Sequence, residues 1–106
     1  MPKRVDKHRS FLQLLRSSEK NQQKAILKTA SDEQIKTLSE IVLNLLAGHI
    51  PINNKTKRNL SKYRDNLRDL TDKTIAVSTL KKRWNKFPVE VLVNLIKITL
   101  AYLDKL

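Results

Sequence analysis

The chain has 106 residues, of which 22 are Lys or Arg and 10 are Asp or Glu, so its formal net charge is +12. A chain of this length is expected to form one domain, and its 40% hydrophobic content is sufficient for one compact core. It has no cysteine, which excludes disulfide bonds, thiolate metal sites and a cysteine nucleophile. We therefore expect an intracellular or capsid-enclosed protein rather than a small secreted one.

Two apolar stretches bear on export and membrane insertion. The stretch from Phe11 to Leu15 is far shorter than the apolar region of a signal peptide, so we predict that the protein is not secreted by a signal peptide. The stretch from Val89 to Leu103 contains Glu90, Asn94 and Lys97, whereas a membrane-spanning helix needs about twenty predominantly apolar residues. The sequence therefore predicts no transmembrane segment.

The scarcity of turn-forming residues indicates the fold class. One glycine and three prolines are too few for the many tight turns of an all-β protein. The sequence therefore predicts an all-α fold, a compact bundle of about five to six helices. We expect a basic flexible tail over residues 1–9 and a single helical domain over residues 10–106.

The first half of the chain predicts three helices. Ser10 is the expected N-cap of the first helix, and the second begins after Ser18 and reaches Thr29. Ser31 and Gln34 match a capping box at the start of a third helix, which is expected to run from residue 32 to about residue 47.

The second half predicts three more helices. Gly48 is expected to end the third helix, and an extended connection through Pro51 leads to a fourth helix over about residues 55–71. A short fifth helix is expected to begin at Ser78, and Pro88 to begin a largely apolar last helix in the centre of the bundle. The β-branched residues of this last element are also compatible with a strand, although no other segment resembles a pairing partner.

Positive charge is concentrated in residues 51–87, which carry eleven basic and three acidic residues. Such clustering is typical of proteins that contact the phosphate backbone of nucleic acid. The alternative is a solvated helix surface whose charge is partly compensated by Asp65 and Asp69. We predict that the nucleic-acid-binding residues are Lys55, Lys57, Arg58, Lys62, Arg64, Arg68, Lys81, Lys82, Arg83 and Lys86.

The pattern favours contact with the phosphate backbone over readout of base sequence. The second and third helices meet at Ala30 as in a helix-turn-helix, but the third helix is acidic and would meet DNA poorly. Trp84 lies among basic residues and is suited to stacking on a base, yet a lone Trp close to Phe87 is more typical of a core anchor. The expected partner is double-stranded DNA, bound largely independently of its sequence.

No constellation of residues indicates catalysis. The only histidines are His8, in the basic N-terminal stretch, and His49, beside a predicted turn. No metal-ligand spacing occurs, and a single glycine does not provide a Gly-rich phosphate loop. We therefore predict a non-enzymatic protein with no metal-ligating residues and no cofactor.

Several segments form a pattern that extends over most of the chain. They are Phe11-Leu12-x-Leu14-Leu15, Lys24-Ala25-Ile26-Leu27-Lys28-Thr29-Ala30-Ser31-Asp32-Glu33-x-Ile35, Glu40-Ile41-x-Leu43-Asn44-Leu45-Leu46-x-Gly48, Lys57-Arg58-x-Leu60-x-Lys62-Tyr63-Arg64-x-x-Leu67-Arg68-x-Leu70 and Leu80-Lys81-Lys82-Arg83. This pattern resembles a family of small basic proteins encoded in Polinton/Maverick and adintovirus-like elements, which are similar to the basic core-protein precursor of adenoviruses. The resemblance implies a viral, virion-core or DNA-packaging protein of the nucleus or the virion. Residues 85–89 depart from the family, because they lack its Gly-Gly-Phe-Leu-like junction.

Two other classes of function remain open. The helical bundle is also compatible with a protein-protein interaction module, for a viral or host partner, or with a homo-oligomer formed through the last helix. Association with an anionic membrane surface is a third possibility. It is the weakest of the three, because the basic residues are concentrated outside the apolar last helix.

Overall fold

The computed structural model describes the backbone of residues 3–105 and the side chains of residues 5–105. This part of the chain is helical, without a β-strand. The helices are α1 (Lys3–Lys7), α2 (Arg9–Ser17), α3 (Lys20–Lys28), α4 (Asp32–Leu46), α5 (Asn54–Ser61), α6 (Arg64–Asp69), α7 (Val77–Lys86) and α8 (Val89–Asp104). The all-α prediction is confirmed, with eight helices over the described residues rather than five to six.

The N-terminal residues account for part of the difference between the predicted and the observed number of helices. Residues 3–7 form α1 and residue 9 begins α2, so the described part of the segment predicted as a flexible tail, residues 1–9, is largely helical. The physical reason is Val5, whose side chain is fully buried and joins the common core where α1 packs against α4. Residues 1 and 2 of the predicted tail, and Leu106 of the predicted domain, lie outside the described residues.

The predicted fourth helix is divided in two. Helix α5 ends at Ser61, α6 begins at Arg64, and the N–H of Tyr63 donates to the carbonyl of Leu60 at 2.9 Å, as in a tight turn. The Tyr63 ring packs edge-on against Phe87, with ring centroids 6.0 Å apart. This contact with the end of α7 holds Tyr63 in place at the break between α5 and α6. No glycine or proline in the local sequence predicts this break, which coincides with the tertiary contact.

The boundaries of α4 follow local sequence signals. The Ser31 hydroxyl accepts from the Gln34 N–H at 3.2 Å, and the Gln34 side-chain oxygen accepts from the Ser31 N–H at 2.9 Å. Gly48 has a φ of 79° after the helix, as expected for a left-handed stop. Other starts shift slightly, because α2 begins before Ser10 and α7 begins before Ser78, and neither serine is an N-cap.

Helix α8 lies against α2, α3 and α4, as expected for the central helix of the bundle. Its buried residues are Val89, Leu92, Leu95, Ile96, Thr99, Leu100 and Leu103. Its exposed side carries the polar residues Glu90, Asn94 and Lys97. Within residues 3–105, no helix has the length and apolar character required to cross a membrane.

Ion pairs join the N-terminal helices to the last helix, α8. Arg9 contacts Asp104 at 3.2 Å and Asp6 at 3.0 Å, which connects α2 with α8. Lys20 of α3 pairs with Glu90 of α8, and this hydrogen bond lowers the pKa of the Glu90 carboxyl below its ordinary value. The acidic groups of α1 and α8 are therefore occupied by basic residues of α2 and α3.

Candidate nucleic-acid interface

The ten predicted binding residues lie on three helices and one break between them. Helix α5 carries Lys55, Lys57 and Arg58, the break carries Lys62, α6 carries Arg64 and Arg68, and α7 carries Lys81, Lys82, Arg83 and Lys86. The structure separates these residues into two groups. Lys81 and Arg83 are half-buried, whereas the other eight are exposed to solvent.

The eight exposed residues, here called the exposed cations, are not neutralised by contact. The ion pairs between described side chains all involve residues outside this group. Asp65 and Asp69, which the alternative interpretation expected to compensate the charge, are exposed and form none of these pairs. The positive charge of α5, α6 and α7 therefore remains available to an anionic partner.

Lys81 and Arg83 instead hold α7 in place. The Lys81 ammonium donates to the carbonyl oxygen of Ala30, 2.8 Å away, in the turn between α3 and α4. The Arg83 guanidinium donates to the carbonyl oxygen of Asp69, 2.9 Å away, at the last residue of α6. Cations are favourable at the C-terminal end of a helix, where carbonyl groups lack partners within the helix. These two side chains therefore tie α7 to the α3–α4 turn and to the end of α6.

Replacing these anchors should affect stability, in contrast to replacing their exposed neighbour. We expect Lys81→Gln and Arg83→Gln each to lower the free energy of unfolding by about 1–2 kcal/mol, because a charge-assisted hydrogen bond is lost. Lys82→Gln is the matched control, and its effect should stay within about 0.5 kcal/mol. Urea unfolding followed by circular dichroism measures all three, and equal stability of the three variants would contradict the assigned roles.

The buried face of α7 is defined by its aromatic residues. Trp84 is fully buried, its indole N–H donates to the Ser39 hydroxyl at 3.1 Å, and its ring lies edge-on to Phe87 at 5.5 Å. This confirms the interpretation of Trp84 as a core anchor and leaves its ring unavailable for stacking on a base. At about 100° per residue, Lys82 and Lys86 fall on the opposite side of α7 from Trp84.

The structure brings some of the predicted residues together in pairs. Arg83 and Lys86 line a cavity of about 230 Å³ between α6 and α7, together with Asn66. Lys57 and Arg64 line a second cavity, of about 400 Å³. Asn66 was not among the predicted residues, because an exposed asparagine on a charged helix has no signal in the sequence. Its amide adds a hydrogen-bond donor beside the two cations of α7.

Helix α3 carries two further exposed basic residues. It packs against α7 and carries Lys24 and Lys28, both exposed and four residues apart. A spacing of four places two side chains on one helix face. This spacing is visible in the sequence, but the packing of α3 against α7 is not, so these lysines were not predicted.

Over the residues with described side chains, no three His, Asp or Glu side chains are grouped where they could hold a metal ion. Comparisons of the chain with models of protein families, with curated proteins and with solved structures find no match.

Proposed function

We propose that the protein binds nucleic acid, chiefly double-stranded DNA, through the exposed cations of α5, α6 and α7. The binding is largely independent of sequence and involves no catalysis. The observation that carries this proposal is the set of eight exposed cations that have no carboxylate partner among the described side chains. A surface of this kind repels itself in the free protein, and neutralisation by phosphates with release of counterions relieves that repulsion.

The arrangement of α7 supports contact with the phosphate backbone. Its buried face is fixed by Trp84 and by the bonds of Lys81 and Arg83 to main-chain carbonyls. Lys82 and Lys86 are therefore presented from a fixed helix. Contacts of Lys with phosphate position a protein on DNA and carry no sequence information.

The proposed biological setting is the packaging or condensation of a viral or transposon-derived genome, in the nucleus or in the virion. The resemblance to the basic proteins of Polinton and adintovirus-like elements supports this setting. Sequence-independent binding also fits a protein that must cover DNA of any sequence.

A matched pair of triple variants tests the proposal. The first variant, Lys55→Gln with Arg58→Gln and Lys82→Gln, removes three exposed cations from the proposed interface. We expect the slope of log affinity against log salt to become shallower by about 0.9 for each phosphate contact that is lost. Fluorescence anisotropy with a labelled duplex of arbitrary sequence, at several salt concentrations, gives this slope.

The control variant has the same net charge but different positions. It combines Lys7→Gln, Arg16→Gln and Lys105→Gln, three exposed residues outside residues 51–87. We expect this variant to bind with a slope close to that of the wild-type protein. If the two triple variants lose affinity equally, net charge alone determines binding and the proposed interface is wrong.

A further inference from the structure

A cleft of about 400 Å³ lies between α4, the connection after it, and helices α5 and α6. Its floor is formed by Val42, Leu67 and Leu95, which belong to the buried core. Its edge is formed by Leu46 and Leu60, of which Leu46 is 44% exposed. The core of the bundle is thus reachable from solvent at the edge of this cleft.

Helix α5 forms one wall of the cleft and is incompletely packed. None of its eight residues is buried, and Leu60 is its partly buried apolar contact with the core. A helix this short has marginal stability in water unless an apolar face is packed against other elements. A ligand that fills the cleft would therefore add packing that α5 lacks in the free protein.

Apolar surface continues from the cleft along the outside of α4. Leu43 is 38% exposed and lies three residues before Leu46, so both leucines share one helix face. This continuation favours an elongated occupant with several apolar side chains over a small molecule enclosed in the cleft. Helices bind such grooves through apolar residues at positions i, i+3, i+4 and i+7.

The charges at the cleft select for an acidic occupant. Lys57 and Arg64 line it, both are exposed, and neither forms an ion pair with a described side chain. Complementary charge accelerates association and disfavours basic partners. We infer that this cleft is the docking site for an acidic amphipathic helix of another protein. Lys57 and Arg64 also belong to the exposed cations, so an acidic helix and DNA would compete for these two side chains, whereas the apolar contacts of the cleft serve the helix alone.

The test uses a fluorescein-labelled helical peptide in the absence of nucleic acid. The probe has leucines at positions i, i+3, i+4 and i+7, which form one face of the helix, and glutamates on the opposite face. We expect saturable binding in fluorescence polarisation and a loss of affinity of about tenfold for Leu46→Asn, because an apolar contact at the edge of the cleft is removed. This variant leaves every basic residue in place, and far-UV circular dichroism checks that the protein is folded.

Leu14→Asn is the matched control, since Leu14 is 52% exposed on α2, far in sequence from the cleft. We expect it to bind the probe with wild-type affinity. A peptide of the same composition, with its leucines distributed around the helix, should bind at least tenfold more weakly than the probe. If the two peptides bound with equal affinity, charge attraction alone would account for the binding, and the inference would be overturned. Unchanged affinity of Leu46→Asn for the probe would also overturn it. So would binding of the fatty acid oleate without binding of the probe, because the cleft would then be a site for a small apolar ligand.

Discussion

Between 50 and 200 mM salt, the affinity of the protein for double-stranded DNA of arbitrary sequence is expected to fall by about 10⁴-fold. The physical reason is counterion release, which lowers log affinity by about 0.9 per phosphate contact for each tenfold rise in salt. If all eight exposed cations contact phosphates, the slope is about −7. Fluorescence anisotropy with a labelled duplex at five or more salt concentrations measures it.

A second duplex of unrelated sequence is the control for this experiment. Contacts to phosphates alone predict the same slope and nearly the same affinity for both duplexes. A slope shallower than about −3 would mean that fewer than half of the exposed cations contact phosphate. Absence of binding at 50 mM salt would refute the proposed function.

Trp84→Ala is expected to lower the free energy of unfolding by about 3–5 kcal/mol, the usual cost of removing a large aromatic side chain from a core. Trp84 is fully buried and contacts both Ser39 and Phe87, so its loss leaves a cavity and an unpaired hydroxyl. Small domains have a total stability of about 5–15 kcal/mol, so this variant should be near the limit of folding. Urea unfolding measures the change where the variant folds.

Two further variants separate the contributions at this position. Ser39→Ala removes the hydrogen bond of the indole and should cost about 1 kcal/mol. Leu14→Ala truncates a side chain that is 52% exposed and should change stability by less than about 1 kcal/mol. A loss below 1 kcal/mol for Trp84→Ala would be inconsistent with its position in the core.

Local sequence was sufficient to predict the ends of a helix where the residues that cap it lie close together along the chain. The capping box of Ser31 with Gln34 and the left-handed Gly48 placed both ends of α4 within about one residue. Asn53 caps α5 in the same way, because its side-chain oxygen accepts the N–H of Thr56 at 2.8 Å. In each case the partners lie within a few residues of each other along the chain.

Local sequence was insufficient to predict a structural feature that depends on contact with a residue distant along the chain. Val5 is a single apolar residue in a basic segment, and its burial depends on packing between α1 and α4. The break at Tyr63 accompanies a contact with Phe87, 24 residues further along. The same limit applies to the interface, because the carbonyl partner of Lys81 lies 51 residues away and that of Arg83 lies 14 residues away. A list of basic residues therefore does not distinguish those whose side chains are exposed to solvent from those that hold a helix in place.

The absence of buried residues in α5 bears on how the proposed interface would respond to DNA. Segments with little buried surface open locally at a small fraction of the free energy of global unfolding. The cations of α5 can thus shift relative to the rest of the bundle, whereas those of α7 stay fixed by Trp84 and its neighbours. DNA varies in groove width and bending with its sequence. The proposed interface would thus combine one rigid half with one adjustable half, and this combination would allow similar affinity for many different DNA sequences.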